Sequence, residues 1–111
     1  MTNVVSINCT CDYLVKRASR HCRAGRYDEA MALLWKARNQ FGLSDDLLAE
    51  MAEVYEAIGC EAEAVRTYLR LVRLGKGHRA YALYRLTMIS AQHGDMQRAA
   101  SYYEQIGRAH V

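Results

Sequence analysis

A short pattern recurs three times along this 111-residue chain, at intervals of 34 and then 35 residues. Each copy has a glycine, an alanine five residues after it and a leucine eleven residues before it. The glycines are Gly25, Gly59 and Gly94, the alanines are Ala30, Ala64 and Ala99, and the leucines are Leu14, Leu48 and Leu83. A repeat of this length is one supersecondary unit that buries its apolar face against the next unit. The chain is therefore expected to fold as a row of three similar units.

The apolar spacing inside each unit predicts two helices. Ala30, Leu34 and Ala37 recur at intervals of four and three residues, which places them on one helical face. The glycine before such a stretch lets the backbone reverse, because it accepts a positive φ. The sequence thus predicts an all-α superhelix (an α-α solenoid) of three helical hairpins and six helices, and its lack of proline agrees with this. The expected first helices span about 11–24, 45–58 and 79–93, and the second helices about 27–41, 61–74 and 96–107.

Capping signals mark the first boundary between units. Ser44 precedes two aspartates, which suits the start of a helix, and Gly42 follows Phe41, which suits the end of one. Residues 1–10 are expected to form a leader. Residues 11–111 are expected to form one domain with repeats at about 11–44, 45–78 and 79–111.

These repeats resemble those of the tetratricopeptide repeat (TPR) family. The period, the turn Gly25-Arg-Tyr-Asp-Glu-Ala30 and a small residue seven positions before each glycine match its pattern over about residues 11–108. The family's tryptophan early in the first helix is leucine here, its usual glycine at the small position is alanine or threonine, and its closing proline is absent. The resemblance implies a scaffold that binds peptides or proteins, with no catalysis and no cofactor.

In that family the first helices of the repeats line a concave groove. Carried over to this chain, the positions imply a partner-binding groove made by Asp12, Val15, Ser19, Cys22, Arg23, Asp46, Ala49, Glu53, Glu56, Tyr81, Tyr84, Met88 and Gln92. Some members clamp a C-terminal carboxylate with lysine and asparagine, but Val15 and Ser19 hold those positions here, so that ligand class is not expected. The stripe Tyr81, Tyr84 and Met88 is either core or a peptide-binding patch.

Charge is unevenly distributed, although the net charge is only +3. Residues 1–44 carry +4, residues 45–65 carry −7 and residues 66–111 carry +6. This pattern has two interpretations. The charged segments are solvated faces with salt bridges between stacked helices, or the acidic segment recognises a basic partner. The arginines are not interleaved with aromatic residues, which argues against nucleic-acid binding.

Trp35 and the four cysteines have no assigned role. Trp35 is either a binding anchor or packs against residues 4–11. Cys9, Cys11, His21 and Cys22 match no zinc-binding spacing, so no metal is expected. The sequence shows no convincing signal peptide and no membrane-spanning segment, so the expected location is the cytoplasm, with free thiols including Cys60.

No catalytic motif is recognisable. His21, His78, His93 and His110 are scattered, and clustered acids such as Glu50 and Glu53 need a pocket before they indicate catalysis.

The expected function is therefore a non-catalytic protein-interaction scaffold that binds a partner segment in its groove. The alternatives are a small secretion-type chaperone or a self-associating structural module, with nucleic-acid binding third. A repeat array needs a terminal cap, and little sequence follows the last repeat. The chain is thus expected to be the first part of a larger repeat protein, or to form a homodimer through its last repeat.

Overall fold

The computed structural model describes residues 10–74 and 76–109, and six α-helices account for most of them. They are α1 (Cys11–Arg23), α2 (Tyr27–Phe41), α3 (Asp45–Ala57), α4 (Glu61–Leu74), α5 (Arg79–Gln92) and α6 (Met96–Ala109). The predicted all-α class and all six predicted helices are confirmed, with ends that differ by no more than two residues. The predicted leader lies outside the described residues, except for Thr10. Within the described ranges, no helix is long and apolar enough to cross a bilayer.

The helix ends follow from local chemistry. The Ser44 side chain caps α3 by accepting a hydrogen bond from the Leu47 amide at 3.2 Å, and Thr10 caps α1 in the same way. Gly42 ends α2 with φ of 79°. The three repeat glycines take φ values of 80°, 83° and 75° at equivalent turns, so the same left-handed turn closes each hairpin.

The helices pack as three hairpins in a row. The most extensive contacts lie inside hairpin 1 (α1–α2), hairpin 2 (α3–α4) and hairpin 3 (α5–α6). Consecutive hairpins stack through α2 on α3 and α4 on α5, and α1 also contacts α3. The radius of gyration is 15.3 Å, against about 13 Å for a compact chain of this length. The arrangement is thus elongated, with extents of 55 × 31 × 19 Å.

The core runs through the row in two clusters that meet on α3. Leu47, Met51 and Val54 of α3 pack against hairpin 1. Leu48 and Ala52 of the same helix pack in the second cluster with α4 and α5. The middle hairpin is therefore buried on both sides, which explains why α3 has apolar residues at adjacent positions.

The last repeat differs from the first two in burial. Leu34 and Tyr68 are 0% exposed, whereas Tyr103 at the equivalent position of α6 is 71% exposed. Leu34 lies against α3 and Tyr68 against α5, but no described element follows hairpin 3. The position is the same in each repeat, so the difference arises because no described helix packs over it in hairpin 3.

Candidate functional site

A groove runs between α1 and α3, on the side of the row that α5 borders. It consists of three adjoining hollows of about 380, 410 and 560 Å³, and Glu50 lines all three. His78, directly before α5, and Tyr81 of α5 close one end, and Tyr27 and Ala57 border the other. We call this the α1–α3 groove.

Most of the residues that the sequence assigned to a groove line this one. They are Asp12, Val15, Ser19, Cys22, Arg23, Asp46, Ala49, Glu53 and Tyr81. The other four, Glu56, Tyr84, Met88 and Gln92, do not line its three hollows. The groove thus belongs to hairpins 1 and 2 and ends at the first turns of α5.

Four carboxylates line the groove, and three of them are paired with a lysine, a histidine or a tyrosine. Lys16 Nζ lies 3.1 Å from Asp12 Oδ2, and His78 Nε2 lies 2.6 Å from Asp46 Oδ1. The Tyr81 hydroxyl donates to Glu53 Oε1 at 2.7 Å. These contacts orient the carboxylates but leave Asp12 and Asp46 largely exposed, so they can still attract a cation.

Glu50 is the fourth carboxylate, and the sequence did not assign it to the groove. Burial and the charge of Glu53 raise its pKa, against the opposing effects of Arg23 and a hydrogen bond from Ser19. Among the described residues it forms no ion pair, and the Arg23 guanidinium donates to the Ser19 hydroxyl at 3.0 Å. The sequence does contain a signal for this position, because Asp46, Glu50 and Glu53 recur at helical spacing and so share one face of α3. A cation bound here would relieve an unfavourable charge.

Glu56, in contrast, is already bound from two sides. The Arg85 guanidinium donates through Nε at 3.1 Å and through Nη2, and the Tyr68 hydroxyl donates at 2.7 Å. Burial tends to raise the pKa of Glu56, but the hydrogen bonds of Arg85 and Tyr68 outweigh it and the pKa is lowered. The predicted role of Glu56 in facing a partner is replaced by a structural one, because its charge is neutralised inside the molecule.

Four polar pairs of this kind join hairpins 2 and 3. They are Asp46–His78, Glu53–Tyr81, Glu56–Arg85 and Glu61–His93. The equivalent positions between hairpins 1 and 2 are Asp12 with Leu43, Ser19 with Asp46, Cys22 with Glu50, and Tyr27 with Ile58. No ion pair among the described residues joins hairpins 1 and 2. Glu50 therefore stands where the next repeat has Arg85, but the residue opposite Glu50 is Cys22 and not an acid. Because Glu50 has no ion pair across the hairpins, its carboxylate is left to line the groove.

The thiol of Cys22 faces the same groove. Burial raises its pKa, and the charges of Glu50 and Glu53 act in the same direction, more than Arg23 lowers it. The thiol is thus favoured over the thiolate, which is the form that binds metals and reacts. Of Cys9, Cys11, His21 and Cys22, whose spacing matches no zinc site, Cys9 lies outside the described residues. No metal-binding group of histidine, cysteine and acidic residues occurs in the part that is described.

The predicted stripe on α5 is divided between two surfaces. Tyr81 lies in the groove, and its ring meets the Tyr68 ring edge-on at 6.4 Å. Tyr84 and Met88 stand at the positions of Ala49 and Glu53 one repeat earlier, on the side of α5 that faces away from hairpin 2. Both side chains are exposed, so the first of the two alternatives, that the stripe is core, does not hold for them.

Trp35 and two sets of basic residues at helical spacing lie on the surface. Trp35 is exposed, with the Arg38 guanidinium 5.0 Å from its ring centre, and the proposed packing against residues 4–11 lies outside the described residues. Arg66, Arg70 and Arg73 are exposed as well. Lys16, Arg20 and Arg23 are also exposed, and all three line the third hollow of the α1–α3 groove together with Glu50.

A scan of protein-family models and a search of curated proteins found no match for this chain. Inferences about its function therefore depend on the groove itself.

Proposed function

We propose that this chain is a non-catalytic protein-interaction module of the cytoplasm, whose α1–α3 groove binds a basic segment of a partner protein. The observation that carries the proposal is Glu50, a half-buried carboxylate with no ion-pair partner among the described residues, set among Asp12, Asp46 and Glu53. The resemblance of the repeats to the TPR family supports the same class of function.

The groove offers a basic side chain both of the surfaces it needs. Val15 and Ala49 provide an apolar wall for the methylene stem of an arginine or lysine. Glu50 and Glu53 provide carboxylate oxygens for the charged head, and a guanidinium can engage such oxygens in two parallel hydrogen bonds. Arginine is therefore the residue that the groove suits best.

Fluorescence anisotropy with a labelled peptide tests this proposal. The probe is a short peptide with several arginines separated by alanine and serine, and a second probe has citrulline in place of each arginine. We expect the arginine peptide to bind and the citrulline peptide not to bind. The double variant Glu50→Gln with Glu53→Gln should weaken binding at least tenfold, since each lost charged hydrogen bond is worth about 1.5 kcal/mol or more.

The matched control is Glu63→Gln with Glu104→Gln, which removes the same charge from exposed positions of α4 and α6. Circular dichroism confirms that both variants keep their helices. Equal weakening by the two double variants would show that only the net charge matters. That result, or unchanged binding by the groove variant, would refute the proposal.

A further inference from the structure

Hairpin 3 carries a continuous apolar face on the side away from hairpin 2. Tyr84 (48% exposed) and Met88 (37%) come from α5, and Met96 (64%) and Tyr103 (71%) come from α6. Ile106, half-buried, lies on the same stripe of α6. We call this surface the terminal face.

The first two repeats show what covers the equivalent surface. Hairpin 1 is covered by Leu47, Met51 and Val54 of α3, and hairpin 2 by Ala82, Leu86 and Ile89 of α5. Both sets have the spacing i, i+4, i+7 of a single helical stripe. The terminal face is the next surface in this series. Its Tyr103 stands at the position of Leu34 and Tyr68, which are completely buried in the first two repeats.

The equivalent stripe of α1 is Tyr13, Arg17 and Arg20, and both arginines are exposed. If another copy placed its α1 on the terminal face, two guanidinium groups would be buried against tyrosine and methionine without acidic partners. Head-to-tail stacking of copies is therefore disfavoured by charge.

The terminal face has no charged side chain among its five residues, and the charges of α6 lie beside it in pairs. Arg98 Nε is 3.6 Å from Asp95 Oδ2, and Arg108 Nη2 is 2.7 Å from Glu104 Oε1. Two such faces related by a two-fold axis bring apolar surface together without opposing like charges. Tyrosine supplies rigid contact area, and methionine adapts its shape to an irregular partner surface.

We propose that the terminal face binds the terminal face of a second copy, which gives a closed two-fold dimer. The interface is formed by α5 and α6 of each copy, and the α1–α3 groove of each lies outside it. This inference is independent of the ligand of the groove.

Light scattering coupled to size exclusion tests the dimer over a wide range of protein concentration. The expected mass is twice the 12.6 kDa of one chain, with no larger species at the highest concentration. Tyr103→Glu should give the single-chain mass, because it places a carboxylate of each copy in an apolar interface. Met88→Glu should do the same from α5. Both side chains are exposed in one copy, so helicity should persist.

The matched control is Leu74→Glu, which changes an exposed leucine at the end of α4 and should leave the dimer intact. A single-chain mass at every concentration would overturn the proposal. So would a mass that grows beyond two chains, which indicates head-to-tail stacking, or a dimer that survives both face variants. Loss of the dimer in Leu74→Glu would place the interface elsewhere.

Discussion

Glu50 and Arg85 occupy the same position in successive repeats, and this single difference separates a carboxylate that lines the groove from an ion pair that joins two hairpins. Arg85 meets the carboxylate of Glu56 from the preceding hairpin. Glu50 instead lies near Cys22, and burial and the charge of Glu53 raise the pKa of Glu50. A raised carboxylate pKa in the folded state means that the charged form is disfavoured by folding. Glu50 should therefore reduce stability while it creates a site for a cation.

At the residue scale, we predict that Glu50→Gln makes the protein more stable at neutral pH. The folded state holds the Glu50 proton more tightly than the unfolded state, so the destabilisation grows as pH rises from the unfolded value of about 4.5 through the raised folded pKa. Above that pKa the full destabilisation by Glu50 is present and no longer changes with pH. Thermal unfolding should show a higher Tm for the variant at pH 7 and equal values below about pH 4.

The control for that measurement is Glu104→Gln, which removes an exposed charge of α6 and should change Tm little at either pH. A lower Tm for Glu50→Gln at pH 7 would show that this carboxylate stabilises the fold. In that case its role would be structural.

Residues that act within one helix were predictable, and residues that act between hairpins were not. The caps and the stripe from Asp46 to Glu53 depend on neighbours three to seven positions away. Glu56 and Arg85 are 29 positions apart, and their pairing depends on how α5 lies over α3. Salt bridges between stacked helices were expected in general, but the sequence alone did not indicate which acid would be neutralised.

At the element scale, the two joints between hairpins have comparable apolar cores but different polar contacts. Four pairs link hairpin 3 to hairpin 2, and three of them start from α3. Arg85 and Glu56 are 24% and 22% exposed, which is buried enough for the pair to matter. Exposed pairs between residues close in the chain, such as Arg98–Asp95, contribute little.

We predict that Arg85→Met lowers the free energy of unfolding by about 2 kcal/mol, because it leaves a half-buried Glu56 with one of its two hydrogen-bonding partners. Urea unfolding measures the change. Arg98→Met is the matched control, with an expected cost below about 0.5 kcal/mol. A double-mutant cycle with Glu56→Gln should return a coupling energy near the cost of Arg85→Met. Equal costs for Arg85→Met and Arg98→Met would contradict the structural role of the pair.

The helices themselves were predicted to within two residues because each depends on a local periodicity that recurs three times. The division of the α5 stripe was not predicted. Tyr81, Tyr84 and Met88 share a helical face in the sequence, but only Tyr81 lines the hollow that α3 borders. The extent of that hollow is a tertiary feature, so the periodicity of one helix cannot locate it.

At the scale of the whole molecule, hairpins 1 and 3 each stack on one described hairpin but are attached differently. A repeat array behaves as a row of units coupled to their neighbours, so the more weakly coupled end opens first. The polar pairs couple hairpin 3 to hairpin 2, whereas the described residues form no ion pair between hairpins 1 and 2.

We predict that amides of α1 and α2 exchange with solvent faster than those of α5 and α6. Hydrogen exchange measures this best in Tyr103→Glu, so that a second copy does not protect hairpin 3. Adding Arg85→Met should reduce protection in α5 and α6 more than in α1 and α2. Equal protection at the two ends before that change would contradict the difference between the joints.

The position of Trp35 has a practical consequence. It is the single tryptophan of the sequence, and it lies on hairpin 1 outside the α1–α3 groove and the terminal face. Its fluorescence should therefore stay constant during ligand binding and during self-association, and change when hairpin 1 unfolds. The eight tyrosines contribute to one shared signal, whereas the emission of the single tryptophan belongs to one hairpin. Unfolding of hairpin 1 can thus be followed without a label, separately from the rest of the molecule.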